Sequence, residues 1–302
     1  MDSAGEKLLG ISAALGSAAS WAVGAVLFKR VGEAMSSSGM TLAKGAMSVV
    51  LLGLAALAAG FAPMDGAALR QLVISGLIGI AIGDILFFKA LQDLSAVAML
   101  VLMVVGQVLT ILLALVFLQE MPSSMDWAGI VCIIAGVCVA LSADLGGEKK
   151  SSTIRGVAFG FGSVLCMAVS VIITKGPVEH LPSLQATFVR MAAGTAGVFA
   201  AGVVSGQMGG WLAPLKEGRF FARFLLAVIV VTFGGFWFSV YAIKHLDVAL
   251  ANTLNSTEPI FVIPLAYFAL KERISLRSVV GAISVVTGVA LILLYTPIKQ
   301  TS

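Results

Sequence analysis

Long apolar runs separated by short polar connections dominate the pattern of this chain. A membrane-crossing helix needs about 20 predominantly apolar residues, and ten runs of the sequence approach or exceed that length. The predicted helices cover 8–28, 37–60, 69–91, 95–118, 126–143, 155–174, 183–206, 221–243, 247–270 and 276–295. The pattern therefore predicts an all-α membrane protein with ten transmembrane helices.

The composition supports a multi-pass protein embedded in a lipid bilayer. Of the 302 residues, 59% are hydrophobic and only 11% are charged, so a soluble domain of this size would expose too much apolar surface. The net charge of +4 comes from Lys and Arg, most of them near helix ends, where they suit a membrane surface. Because no concentrated basic stripe is present, we expect no nucleic-acid partner.

The two halves of the chain resemble each other on either side of a polar segment, 144–155, which we interpret as a flexible linker. Shifts of 146 and 152 residues match Gly10 with Gly156, Ser17 with Ser163, Lys29 with Lys175, Lys44 with Arg190, Gly83 with Gly235, Leu94 with Leu246, Gly129 with Gly281, and Gly136 with Gly288. We predict two five-helix repeats, 1–147 and 148–302. Because five is an odd number of crossings, the second repeat would enter the membrane inverted, as in secondary transporters with a central cavity.

Four ionisable residues lie deep inside the predicted helices: Lys44, Asp84, Arg190 and Glu258. A charge at the bilayer centre costs roughly 2.5–3.5 kcal/mol on insertion scales, so each needs a polar neighbour. At about 1.5 Å rise per residue, Lys44 lies level with Asp84, and Arg190 lies level with Glu258. We therefore predict two ion pairs, which act either as static braces or as parts of a substrate site.

The helix predicted over 247–270 carries the strongest candidate site. Glu258 directly precedes Pro259, and Pro264 follows, so we expect a hinge where the prolines remove backbone hydrogen bonds. Asn252 and Asn255 add a polar wall, whereas the matching positions of the fourth helix are apolar and include Met103. The candidate substrate-binding residues are Glu258, Asn255, Asn252, Arg190, Lys44 and Asp84, with Trp237 and Tyr241 as an aromatic shelf unless they face lipid.

These features together resemble the EamA type of the drug/metabolite transporter superfamily. The resemblance rests on the two repeats and on Trp21, Lys44, Arg190, Glu120, Glu258, Pro259, Glu272, Gly281 and Gly288. It implies a secondary transporter that moves a small metabolite, amino acid or drug-like solute by alternating access, with proton-coupled export as one option. The alternative is a flippase for a lipid or lipid-linked solute. The chain departs from the family pattern at Gly106 and Gln107, where a proline is common, so the resemblance does not identify the substrate.

Neither the two histidines nor the three cysteines form a set with catalytic or metal-ligand spacing, so we expect no enzyme activity, metal or cofactor. The expected partners are a small-molecule substrate and the lipid bilayer, while coupling to protons and a monomeric or homodimeric state stay open. The resemblance implies a bacterial cytoplasmic (inner) membrane with cytoplasmic termini. The excess of Lys and Arg on the side of Lys29 predicts the opposite orientation, so the sequence leaves orientation open.

Overall fold

The computed structural model describes residues 3–32, 34–118, 124–145, 150–206, 208–246, 248–271 and 274–295, and nearly all of them are helical. The long helices are α1 (Ser3–Val31), α2 (Ser37–Ala59), α3 (Gly66–Asp93), α4 (Ala96–Leu118), α5 (Ser124–Leu145), α6 (Lys150–His180), α7 (Ser183–Val204), α8 (Gly218–His245), α9 and α10 (Leu276–Tyr295). The ninth helix has two segments, α9a (Val248–Asn255) and α9b (Glu258–Leu270). Short helical segments at Met208–Trp211 and Ala213–Lys216 join α7 to α8.

Several of these helices are suited to a bilayer. Among the described residues, six helices are long and apolar enough to cross a membrane: Leu8–Val31, Ser37–Ala59, Gly66–Asp93, Thr153–His180, Ser183–Val204 and Gly218–His245. Shorter apolar helices cover Ala96–Gly106, Trp127–Ala140, Glu258–Leu270 and Leu276–Gly288. The protein is thus an all-helical, multi-pass membrane protein.

The polar segment in the middle of the chain is more helical than predicted. Helix α5 continues to Leu145 and α6 begins at Lys150, so the expected linker over 144–155 is wrong for most of its length. Lys and Ser are compatible with helix, and a helix can continue beyond the bilayer into the interface. Only residues 146–149 lie between the two helices, outside the described part of the chain.

The ninth helix is broken where one continuous helix was predicted. Pro259 has no N–H to donate to the carbonyl of Asn255, and its ring disfavours helical backbone just before it. Thr257 closes α9a instead: its N–H and its Oγ1 both donate to the carbonyl of Leu254, at 3.2 and 2.7 Å. Helix α9b then begins at Glu258 with proline in its first turn, where the missing N–H is tolerated.

Contacts between α1 and α8 are repeated between α6 and α3. Ser17 Oγ donates to the carbonyl of Gly235 at 3.1 Å, and the matching Ser163 Oγ donates to the carbonyl of Gly83 at 2.9 Å. In the same way, Gly10 packs against Leu246, and Gly156 packs against Leu94. Residues matched by the sequence repeat therefore make the same contacts, and each contact joins one half of the chain to the other.

Helices α5 and α10 pack through glycines that are themselves a matched set. Gly136 lies against Gly281, and Gly129 lies against Gly288, so the two helices run antiparallel. A Cβ atom on Gly281 would come within 2.5 Å of the carbonyl oxygen of Gly136, which shows how closely the backbones approach. Small residues permit such approach in membranes, where lipid offers no hydrophobic drive for helix association.

Two helices contain a wider π-helical segment at matching places. Helix α3 is π-helical over Leu77–Gly83, and α8 is π-helical over Val230–Trp237. Such segments add a residue to the turn and change the direction in which the following side chains point. The first ends directly before Asp84, and the second includes Phe236.

Candidate functional site

A cavity of about 110 Å³ lies between the two halves of the bundle. Its walls come from α1, α3 and α4 of the first half and from α6, α7, α8 and α9 of the second. Pockets for drug-sized ligands usually measure roughly 300–1,000 Å³, so this conformation fits only a compact solute. The polar residues in its walls are Asp84, Arg190, Ser239, Asn255 and Glu258.

Lys44 of α2 and Asp84 of α3 form the first predicted ion pair. The two side chains contact each other directly, and the residues are only 1% and 2% exposed. Lys44 Nζ also lies 4.5 Å from the ring centre of Phe236, within cation–π range. Asp84 lines the cavity, whereas Lys44 is not among its lining residues. The pair therefore joins α2 to α3 and presents only its acidic member to the cavity.

Arg190 of α7 is held by hydroxyl groups. Its Nε donates to Ser75 Oγ, and its Nη2 donates to Ser170 Oγ, each at 3.0 Å. Ser75 Oγ is also within 2.8 Å of Ser170 Oγ and 2.7 Å of Thr174 Oγ1. We call Ser75, Ser170 and Thr174 the hydroxyl cluster; it joins α3 to α6.

The second predicted ion pair, between Arg190 and Glu258, is wrong for this conformation. No ion pair joins the two residues among the described contacts, although both line the cavity. The hydroxyl cluster already accepts two of the N–H groups of Arg190. The two charges therefore face one cavity without direct contact.

Glu258 and Asn255 lie on either side of the break in α9. Glu258 is 6% exposed and makes no hydrogen bond or ion pair within the described part of the chain. Asn255 is 5% exposed, and its Oδ1 has no hydrogen-bond partner among the described residues. Both line the cavity. The side chain of Asn252, predicted to lie beside them, is outside the described residues.

The facing wall on α4 is apolar, as predicted. The 152-residue shift matches Asn255 with Met103 and Glu258 with Gly106, and both of these first-half residues line the cavity. Leu100, which matches Asn252, lines it too. Equivalent positions of the two halves therefore give the cavity one polar and one apolar wall.

The aromatic wall is not the predicted one. Trp237 is absent from the cavity lining, and its Nε1 donates to Ser183 Oγ at 3.2 Å, which joins α8 to α7. Tyr241 packs against His245 with ring centres 4.4 Å apart and does not line the cavity either. Trp21 and Phe236 supply the wall instead, in edge contact at 4.8 Å. Trp237 ends the π-helical segment of α8, and Tyr241 lies on the regular helix beyond it, so their spacing did not show which face of α8 lines the cavity.

Two groups of site residues were missed as site candidates. Trp21 lies four residues after Ser17, on the face of α1 that packs inside the bundle, and this spacing was the available signal. Ser75 is the second: serine inside a membrane helix can accept a hydrogen bond from a buried base, as it does from Arg190. Its distance from Arg190 in the sequence gave no sign of the contact.

Comparison with known proteins agrees with this architecture. The model of the EamA-like transporter family matches residues 8–142 and 154–294, one match in each half. A solved structure described only as "Crystal structure of protein" is similar in fold, with a TM-score of 0.68 and 20% identity over 96% of this chain and 97% of that one. No curated protein matches the chain significantly in sequence. Because the family model covers both halves, this chain belongs to the EamA-like transporter family of membrane transporters.

Proposed function

We propose that this protein is a secondary transporter that carries a compact polar solute through the cavity by alternating access. One observation carries the proposal: Arg190 and Glu258, two buried groups that can carry opposite charges, face a single cavity without contacting each other. Buried charges in membrane helices are costly and mark solute or ion pathways. A small metabolite or amino acid that carries both charges would satisfy both groups.

The proposed architecture is ten crossings arranged as two inverted repeats. The matched hydrogen bonds of Ser17 and Ser163 support it, as do the antiparallel equivalents α5 and α10. Helices α2 and α7, also equivalents, pack antiparallel with Gly45 against Thr195 and Gly53 against Phe188. Inverted repeats give a transporter two related conformations, because each half can take the arrangement of the other.

In the proposed mechanism, one half rocks against the other around the cavity. The break before Pro259 and the proline at 264 allow α9 to bend, so that Glu258 can follow its ligand. Solute binding must favour one conformation over the other, because a ligand shifts such an equilibrium only through differential affinity. Competition between solute and proton for Glu258 would couple the two flows.

A binding screen followed by a flux assay tests the proposal. Purified protein is screened for ligand-induced thermal stabilisation against a metabolite library, and each hit is assayed for counterflow in proteoliposomes. We expect at least one hit to show counterflow, and Glu258→Gln to lower the flux and flatten its dependence on pH. Leu54→Ala, on a 63% exposed apolar position of α2, serves as the control that keeps the flux. Saturable binding without counterflow for every hit would contradict transport.

A further inference from the structure

The break in α9 gathers hydrogen-bond acceptors that lack a donor. Ionised Glu258 and the Oδ1 of Asn255 can only accept, both residues are more than nine-tenths buried, and both line the cavity. The Oδ1 of Asn255 has no partner among the described residues. Because Pro259 has no N–H, the carbonyl of Asn255 also loses its helical donor. These acceptors suit a group that brings positive charge or hydrogen-bond donors.

The basic groups buried near the cavity are occupied elsewhere. Lys44 pairs with Asp84, and Arg190 donates to Ser75 and Ser170. A buried carboxylate without a counter-charge is destabilising in a membrane interior. Within the described part of the chain, no basic side chain contacts the Glu258 carboxyl group, so a cation or a proton from outside the protein can neutralise it.

We propose that the break in α9 is a binding site for a monovalent cationic group, held by the Glu258 carboxylate and Asn255 Oδ1. This inference rests on the proposed transport function and adds the chemical class of ligand at one end of the cavity. With Asp84 committed to Lys44, the site has one available carboxylate, which balances a single positive charge rather than a divalent ion. Sodium ion and the ammonium end of a solute share this chemistry.

The position of the site within the fold supports a role for the bound cation in coupling transport or in orienting the solute. Transporters use unwound segments of broken helices, with their free carbonyls, to coordinate small cations near the middle of the membrane. The equivalent wall on α4 offers Leu100, Met103 and Gly106, none of which has a side-chain oxygen. The cation would therefore bind to one half of the molecule alone and affect the two conformations unequally.

Cation titrations of the purified full-length protein in detergent test the inference. Sodium chloride and methylammonium chloride are titrated separately against N-methylglucamine chloride at constant ionic strength, and thermal unfolding is recorded. We expect one of the two cations to raise the Tm saturably, since a ligand that binds only the folded state stabilises it. A response to sodium alone identifies an inorganic ion, and a response to methylammonium alone identifies the ammonium end of a solute.

Three variants and one control locate the response. Glu258→Gln removes the charge and should weaken apparent cation affinity roughly 10- to 100-fold. Asn255→Leu should also weaken the apparent cation affinity. Asn255→Asp adds a negative charge and should strengthen that affinity, so this variant tests the site even if Asn255→Leu fails to fold. Leu54→Ala, at an exposed apolar position of α2 that does not line the cavity, is the control and should keep wild-type affinity.

Several results would overturn the inference. The inference fails if neither cation shifts the wild-type Tm saturably. It also fails if Glu258→Gln and Leu54→Ala respond equally to the cation. Stabilisation that follows pH but neither cation would assign the site to a proton instead. Counterflow on the same preparations separates the two proposals: flux without cation binding refutes only the cation site, whereas cation binding without flux of any solute refutes transport.

Discussion

Lys44 and Asp84 neutralise each other inside the bundle, whereas Arg190 relies on neutral hydroxyls and Glu258 has no partner among the described residues. These arrangements have different energetic consequences. A direct pair of opposite charges offsets much of the cost of burial, while hydroxyl groups satisfy N–H groups of Arg190 without adding a counter-charge in direct contact. Arg190 and Glu258 face the cavity without a direct ion pair, which is why we assign ligand binding to them.

The first pair gives a stability prediction at the residue scale. Lys44→Met leaves Asp84 buried without its partner, and we expect it to lower the free energy of unfolding by roughly 3–5 kcal/mol. The double variant Lys44→Met/Asp84→Leu removes both charges and should recover most of that loss. Unfolding in detergent and a double-mutant cycle measure both effects. An equal loss in the single and double variants would show that the pair is not the source of the stability.

At the scale of helices, the equivalent helices α5 and α10 pack closely because glycines lie where their backbones meet. The side-chain hydroxyls of α1 and α6 act similarly: Ser17 and Ser163 each tie their helix to a carbonyl of the π-helical segment opposite. Both devices bring helices together without a hydrophobic drive, through close packing and interhelical hydrogen bonds. The helix pairs that carry them belong to opposite halves, so the same contacts hold the halves around the cavity.

The glycine contact between α5 and α10 can be tested directly. In Gly281→Ala, the new Cβ would lie 2.5 Å from the carbonyl oxygen of Gly136 and 2.6 Å from the Cβ of Ala140, so the helices must separate. We expect the free energy of unfolding to fall by roughly 1–3 kcal/mol, as overpacking usually costs. Gly66→Ala in the first turn of α3 is the matched control, because nothing lies within 4 Å of its Cβ position. Equal Tm values for the two variants would argue against tight packing here.

At the scale of the whole molecule, the cavity exists only because two halves meet. The first half contributes Asp84, Trp21 and the apolar wall of α4, and the second half contributes Arg190 and the broken helix α9. Equivalent positions of the two halves thus differ at the cavity, whereas Ser17 and Ser163 make the same buried contact. A polar wall facing an apolar one gives a bound solute a defined orientation.

Inverted repeats make a topological prediction. A reporter fused after residue 147 follows five proposed crossings, and one fused after residue 302 follows ten, so we expect the two to report opposite sides of the membrane. Paired cytoplasmic and periplasmic reporters measure this. The side reported after residue 302 also decides the orientation: a cytoplasmic signal agrees with the family resemblance, and a periplasmic signal agrees with the distribution of Lys and Arg. Both fusions reporting the same side would contradict the inverted arrangement.

The sequence by itself determined the helical class, the two halves and the first ion pair. Apolar run length is a property of position along the chain, so counting sufficed to predict long apolar helices, six of which are long enough to cross a membrane among the described residues, and to match Lys44 with Asp84. Repetition of glycines and serines likewise identified residues that make equivalent contacts. Pro259 marked where α9 would bend, although the complete break required the capping contacts of Thr257.

Only the tertiary structure decided which side chains face the cavity and which partners they choose. Arg190 lines the same cavity as Glu258, but its partners depend on the rotation of α7 relative to α3 and α6, which bring Ser75 and Ser170 within reach. Phe236 rather than Trp237 lines the cavity, which depends on the face that α8 turns inward. Position along a helix follows from the number of residues, whereas rotation about a helix axis is set by packing against neighbours distant in sequence. For that reason the sequence determined which helices carry the buried charges, and the packing of the two halves determined which of them remain available to a ligand.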